Sequence, residues 1–306
     1  NVVDVVPEFW MHATAGGPPW PGTAAATWGL HAVGAVQSVY DGSGIKVAVL
    51  DTGFALSHPD FLGRKIITRS FVPNETVDDM QGHGTHCAGT IAGPRTGNCN
   101  RPGYGVAPGV DLYVGKVLGN NGSGRTFDII DGMDWAIAEG CHVISMSLGR
   151  AVTPGEPFEQ PYEVAAAHGL SQGSLVIAAS GNESDRRFNY VAPVSSPANC
   201  PSIMAVAAIG SDGGIASFSC GGTGTGKIDV CGPGVAVMSS VPPPRFYSSL
   251  NGTSMACPHV AGVAALMAQS DPTLRGSKLW RALVNSGQAL PPLRARDIGS
   301  GLVVAP

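Results

Sequence analysis

From Ile45 onward, short unbroken aliphatic runs alternate with longer stretches whose apolar residues recur at helical spacing. A strand with one wet face alternates apolar and polar residues, so unbroken runs predict strands buried on both faces. Such runs predict strands at Ile45–Leu50, Ile66–Phe71, Asp111–Leu118, His142–Ser147, Leu175–Ala179 and Ile203–Ile209. Between and after them, helices are predicted at His83–Gly93, Thr126–Glu139, Tyr162–Gln172, Ser254–Ser270 and Ser277–Asn285. In the second of these, Ile129, Ile130, Met133 and Ile137 fall on one face, and Gly140 supplies a stop. Strands alternating with helices predict a single α/β domain, its mostly parallel central sheet flanked by helices on both faces.

The first 26 residues do not follow this plan and read as an N-terminal extension to a domain spanning 27–306. Gly16-Gly17-Pro18-Pro19-Trp20-Pro21-Gly22 is a linker-like run that suits neither a helix nor a central strand.

Composition narrows the class. A chain of 306 residues with 43% hydrophobic and 13% charged residues can bury a large core. Its 43 glycines and 24 prolines imply many tight turns. A net charge of -4 supplies no basic field, so nucleic acid is not an expected partner. No apolar run approaches the roughly 20 residues a membrane helix requires, so no membrane partner is expected, and no cleavable signal opens at Asn1.

Seven cysteines cannot all pair with one another. Cys87 and Cys257 read as small buried packing residues. Cys99, Cys141, Cys200, Cys220 and Cys231 are numerous enough for one or two disulfides, with no pairing implied by spacing. His83, His86 and Cys87 cluster in sequence, but no Cys-x2-Cys pair or fourth nearby ligand points to zinc.

The most informative stretch is Leu250-Asn251-Gly252-Thr253-Ser254-Met255-Ala256-Cys257-Pro258-His259. It sets one serine where a glycine turn meets the start of a small-residue helix, so that the hydroxyl can be aimed out of the fold. A serine is a weak nucleophile without a base and a group to orient that base. Candidates stand in Val47-Ala48-Val49-Leu50-Asp51-Thr52-Gly53 and Gly82-His83-Gly84-Thr85-His86-Cys87. Asp51 closes a predicted strand, while His83 and Ser254 open predicted helices. In open α/β sheets, ligands gather at the carboxyl ends of strands, where the three can converge.

These blocks, in this order, resemble the signatures of the subtilisin-like serine peptidases, or subtilases. The likeness extends to His58-Pro59-Asp60, Gly105-Val106-Ala107-Pro108, Met146-Ser147-Leu148-Gly149, Ala179-Ser180-Gly181-Asn182 and Gly299-Ser300-Gly301. It implies a serine endopeptidase with Asp51, His83 and Ser254 as its triad and Asn182 as the oxyanion donor. It also implies peptide or protein substrates, a propeptide or protein inhibitor as a further partner, and a secreted, extracytoplasmic location. Val2-Val3-Asp4-Val5-Val6-Pro7-Glu8 is faintly similar to the last strand of a subtilase propeptide. An acyl-transfer enzyme on the same scaffold would carry insertions that exclude water, whereas these blocks are nearly uninterrupted.

By the same resemblance, Gly122-Ser123-Gly124 and Ser147-Leu148-Gly149 would flank an extended substrate, gripped by strand addition. Leu118, Ile129 and Leu148 would line an apolar pocket for the residue four before the cut, with Thr126 where many relatives carry an aromatic lid. Ala179, Ser180 and Gly181 would border the primary pocket, with Ser195 and Ser196 near its floor. No acidic residue is evident there, so an uncharged, apolar-leaning preference is expected. A structural calcium ion is implied at Asp229 with Pro197 and its neighbours. The segment 94–102, where many relatives build another calcium loop, departs from the family pattern in length and in its asparagines.

Overall fold

A computed structural model describes residues 20–99 and 101–306. Most of the first 26 residues, including Val2–Glu8 and Gly16–Pro19, therefore lie outside the described residues. Residues 20–26 are hydrogen-bonded onto the body: the Trp20 amide donates to Ser211 O at 2.9 Å, and Ala26 bridges Gly103.

Seven parallel strands form the central sheet: β1 (Lys46–Asp51), β2 (Ile67–Ser70), β3 (Asp111–Lys116), β4 (Val143–Met146), β5 (Leu175–Ala179), β6 (Met204–Ile209) and β7 (Val230–Pro233). Their order is β2-β3-β1-β4-β5-β6-β7. The helices are α1 (Trp28–Ala32), α2 (His83–Ala92), α3 (Thr126–Ala138), α4 (Gln160–Ser171), α5 (Thr253–Ser270), α6 (Ser277–Ser286) and α7 (Ala295–Ile298). Helix α2 packs on α5, and α3 packs on α4, so the sheet is covered on both faces. This is the expected α/β architecture. Every residue of β4, β5, β6 and β7 is buried, as the unbroken aliphatic runs of the first three require.

Chain order reverses direction across β1 and β4, and such a switch point leaves a crevice beyond the strands' carboxyl ends. Asp51 ends β1, Ser147 follows β4, and Ser180–Asn182 follow β5. Helix α5, apolar on nearly every side, is threaded against β4, β5, β6 and β7 and presents its first turn at the same rim.

Two short strands, β8 (Val237–Ser240) and β9 (Tyr247–Leu250), pair antiparallel just before α5. Cys87, Cys141, Cys200, Cys220, Cys231 and Cys257 are buried thiols. The expectation of disulfides among four of them is therefore corrected. Several donate to oxygen acceptors instead, Cys220 Sγ to Glu183 Oε2 at 3.1 Å and Cys257 Sγ to Ile177 O at 3.3 Å.

Candidate active site

Two glycines shape the turns on which Asp51 and His83 sit. Gly82, the N-cap of α2, has φ 100°. Gly53 has φ 108°, and a Cβ there would lie 2.1 Å from Val77 O. Both are left-handed positions that disfavour any side chain. Between them, buried Asp79 accepts hydrogen bonds from the Gly82 and Thr85 amides (2.7 and 2.8 Å) and from the Thr52 and Thr85 hydroxyls (2.8 and 2.7 Å). Thr52 Oγ1 in turn accepts from the Gly84 amide at 2.8 Å. One carboxylate thus locks the start of α2 against the end of β1.

On this frame, His83 Nδ1 lies 2.8 and 3.0 Å from the two oxygens of Asp51. The Asp51 carboxylate is 0% exposed and the imidazole 23%. Nδ1 therefore carries the proton that Asp51 accepts, which leaves Nε2 as the ring's free nitrogen. Burial alone would push the His83 pKa down. Burial is the largest single influence, yet the Asp51 charge, the Asp51 hydrogen bond and the Cys87 sulfur together hold the pKa well above the ordinary histidine value. The Cys87 thiol sits 3.8 Å from Nδ1, and burial raises its own pKa, so it stays a neutral neighbour.

Ser254 is the second residue of α5. Its hydroxyl donates to Ser147 O at 3.2 Å, while its carbonyl accepts from Ser147 Oγ at 2.8 Å and from Cys87 Sγ at 3.5 Å. Among the described residues no hydrogen bond joins Ser254 Oγ to His83. Catalytic bonds of this kind are commonly long before substrate arrives.

Asn182 is pinned by its oxygen. Its Oδ1 accepts from the Thr253 amide at 2.8 Å and from Thr253 Oγ1 at 3.0 Å. A backbone N–H can only donate, so this contact fixes which end of the amide is oxygen. The nitrogen remains to donate into the cleft.

His83, Asn182 and Ser254 line one cavity of about 460 Å³, together with Leu118, Gly122, Ser123, Gly124, Thr126, Ile129, Ser147, Leu148, Gly149, Ala179, Gly181, Ser195, Ser196 and Pro197. Nearly every substrate-flanking residue expected from the sequence is brought to it. Ser180 is the exception. It is fully buried, with its hydroxyl unpartnered, because it continues from β5 and donates its amide to Val206 O.

One expectation about this cavity is corrected. Glu159 and Glu183 also line it, so the cavity does not lack acidic residues. Glu159 is neutralised by Arg150 at 2.8 Å and accepts from Ser196 Oγ at 2.9 Å. Glu183 has no cationic partner among the described residues. Its Oε2 accepts from Ser195 Oγ at 3.0 Å and from Cys220 Sγ at 3.1 Å. The sequence hid both. Glu183 reads as part of the turn after Asn182, and Glu159 arrives from a long segment with no pattern of its own.

The residues expected to hold calcium line different cavities. Pro197 lines the central cavity, whereas Asp229 lines a separate one with Trp280, Arg281 and Arg296. The Asp229 carboxylate already meets the Ala205 amide at 2.9 Å and the Lys227 ammonium at 3.2 Å. Calcium takes six to eight oxygen ligands, and both Asp229 oxygens are already engaged, one by a backbone amide and one by a surface lysine. In the 94–102 segment a cation is likewise paired with a carboxylate. Arg101 Nη2 meets Asp60 Oδ1 at 2.8 Å, and the hydroxyls of Tyr104 and Tyr247 donate to Asp60 Oδ2 at 2.7 and 3.0 Å.

Comparison with known proteins decides the family. The subtilase-family model matches residues 42–301. The chain belongs to the subtilase family. It is 44% identical to subtilisin Savinase of Lederbergia lenta over 265 residues, which cover 86% of this chain and 90% of that protein. It is likewise 44% identical to M-protease of Shouchella clausii, over 86% of this chain. The alkaline elastase YaB of a Bacillus strain is 42% identical over 91% of this chain. This subtilase spans 64% of the length of M-protease and 68% of that of the elastase. A solved structure of a cold-adapted subtilisin-like serine proteinase superposes with a TM-score of 0.73 at 32% identity, covering 88% of this chain and 91% of that one. Subtilases are serine endopeptidases, hydrolases of the peptide bond, and the parallel α/β sheet described above is their fold. Among the described residues, no helix of this subtilase is long and apolar enough to cross a membrane.

Proposed function

We propose that this subtilase is a secreted serine endopeptidase in which Ser254 is the nucleophile, His83 the general base and acid, and Asp51 the group that orients and charge-stabilises His83. The observation that carries this reading is the Asp51–His83 pair at 2.8 Å, with His83 opening onto the same cavity as Ser254 and Asn182. Ser254 Oγ attacks the scissile carbonyl carbon while its proton passes to His83 Nε2. The imidazolium that forms is stabilised by Asp51, which itself stays ionised. Negative charge develops on the carbonyl oxygen, where the Asn182 amide and the Ser254 backbone N–H would donate. The C–N bond then breaks and the His83 proton leaves on the amine. Water repeats the sequence on the acyl-enzyme, with the Ser254 oxygen as leaving group.

Substrate would lie extended between segments 122–124 and 147–149, its backbone adding a strand to each. Leu118, Ile129 and Leu148 make an apolar patch for a residue upstream of the cut. The primary pocket keeps apolar-leaning walls at Ala179, Gly149 and Gly181. The Glu183 carboxylate beside Gly181 adds a countercharge that a long basic side chain can reach. A propeptide or protein inhibitor would occupy the same cleft as substrate.

The test is digestion of an unbiased peptide library, followed by mass spectrometry of the cut sites. Cleavage after uncharged and basic residues, abolished in a Ser254→Ala variant, supports the reading. Transfer of the acyl group to an added amine in preference to water would make the protein an acyl transferase instead.

A further inference from the structure

Lys116 is fully buried at the end of β3, directly opposite Asp51 in the β1–β3 register. A buried ammonium is costly unless each of its three donors finds an acceptor. Here three acceptors surround it: Thr52 O at 2.5 Å, Asn120 Oδ1 at 3.0 Å and Glu75 Oε2 at 3.3 Å. These belong to different parts of the molecule. Thr52 follows Asp51, Asn120 lies in the turn that leads into Gly122–Gly124, and Glu75 lies in the loop after β2.

The turn itself is closed on its own atoms. Gly119 donates to Ser123 O and Gly122 to Gly119 O, each at 2.8 Å, and Ser123 donates to Asn121 Oδ1 at 2.9 Å. Among the described residues, the hydrogen bonds tying residues 119–123 to the rest of the protein are those of Asn120. One runs to the Lys116 ammonium, and the other runs from the Asn120 amide to Glu75 Oε2 at 2.9 Å. The side nearer the triad is anchored several times over. Asp51 O accepts from the Val117 and Leu118 amides at 2.9 and 3.1 Å, and Thr52 Oγ1 is held by Asp79 and Gly84.

The geometry points to Lys116 as a positioning residue for substrate: its ammonium holds the 119–124 edge in register with the Asp51–Thr52 turn. This assignment rests on the reading of residues 122–124 as a substrate-binding edge. Losing the ammonium frees the edge while Asp51 and His83 keep their other anchors. The loss should therefore fall on the energy gained from an extended substrate rather than on the chemistry at Ser254.

The experiment compares two chromogenic substrates with the same leaving group. One is a blocked single amino acid, and the other a tetrapeptide long enough to lie along residues 122–124. In the wild type, kcat/KM should be far larger for the tetrapeptide. In Lys116→Met that advantage should shrink at least tenfold, while kcat on the single-residue substrate stays within threefold and its pH profile is unmoved. Asn120→Ala, which keeps the buried lysine, should shrink the advantage in the same direction, and it decides the matter alone if Lys116→Met does not fold. An undiminished tetrapeptide advantage in the variants would overturn the role of Lys116, whatever their melting temperatures. A wild type that gains nothing from the longer substrate would instead overturn the substrate edge, and the proposal with it.

Discussion

Pro258 lacks the amide that would bond to Ser254 O four residues earlier, and that freed carbonyl accepts from Ser147 Oγ at 2.8 Å. A proline inside a helix usually costs stability because it leaves a carbonyl without its donor. Here the orphaned carbonyl belongs to the residue proposed as nucleophile, and the donor that replaces the missing amide comes from the segment after β4. The first turn of α5 is thereby fixed to the rim of the sheet. Ser147 both receives the Ser254 hydroxyl and supports its backbone.

This relationship predicts a coupling. Ser147→Ala should destabilise the fold by about 1 kcal/mol, the net worth of a hydrogen bond whose acceptor is left buried. In a Pro258→Ala background the restored amide can serve Ser254 O, so the same change should cost measurably less. Urea unfolding of the four proteins in the cycle gives the coupling. Equal costs in both backgrounds would mean that Ser147 does not replace the missing amide.

The His83 environment fixes the direction of the pH dependence. The Asp51 charge raises the His83 pKa above its ordinary value despite burial, and only neutral imidazole can accept the Ser254 proton. The value of kcat/KM should therefore rise with pH through an inflection above 6.5 and level off on the alkaline side. Asp51→Asn removes the charge, so its inflection should move to lower pH while kcat falls by about 10⁴. An inflection below 6.5 in the wild type would contradict the assigned pairing.

Carboxylates already paired with cations predict indifference to chelation. Arg101 meets Asp60 and Lys227 meets Asp229, so calcium and a chelator should give the same melting temperature. Arg101→Ala strands a partly buried carboxylate and should cost about 3–5 kcal/mol. A wild type that melts several degrees lower in chelator would show that a calcium site exists elsewhere.

Strand and helix positions were legible because they depend on unbroken aliphatic runs and on helical spacing. The α5 boundary, for example, shifts only from Ser254 to Thr253. Short elements held by tertiary contacts were not legible. β7 contains Gly232 and ends at Pro233, and the β8–β9 connection carries three prolines, so local preference opposes both. Asp51, His83, Asn182 and Ser254 stood out because each sits in a glycine-flanked block. Glu183 and Lys116 did not. Their significance comes from partners far off in sequence, Cys220 for the one and Glu75 for the other, and no local pattern encodes such a meeting.

Asn182 offers a test of where binding energy is realised. Asn182→Leu removes the proposed oxyanion donor and keeps side-chain size. Turnover should fall about 10²–10³-fold, a magnitude measured on a subtilisin, with little change in KM. A loss confined to KM would assign Asn182 to ground-state binding.

The central claim is that one serine, activated by the Asp51–His83 pair, carries the chemistry. The most direct measurement is labelling with an organofluorophosphonate, followed by peptide mapping. The account predicts one modified residue, Ser254, with activity lost in proportion to labelling, and no labelling in Ser254→Ala or after denaturation. Labelling that persists in Ser254→Ala, or full activity in the modified protein, would contradict it.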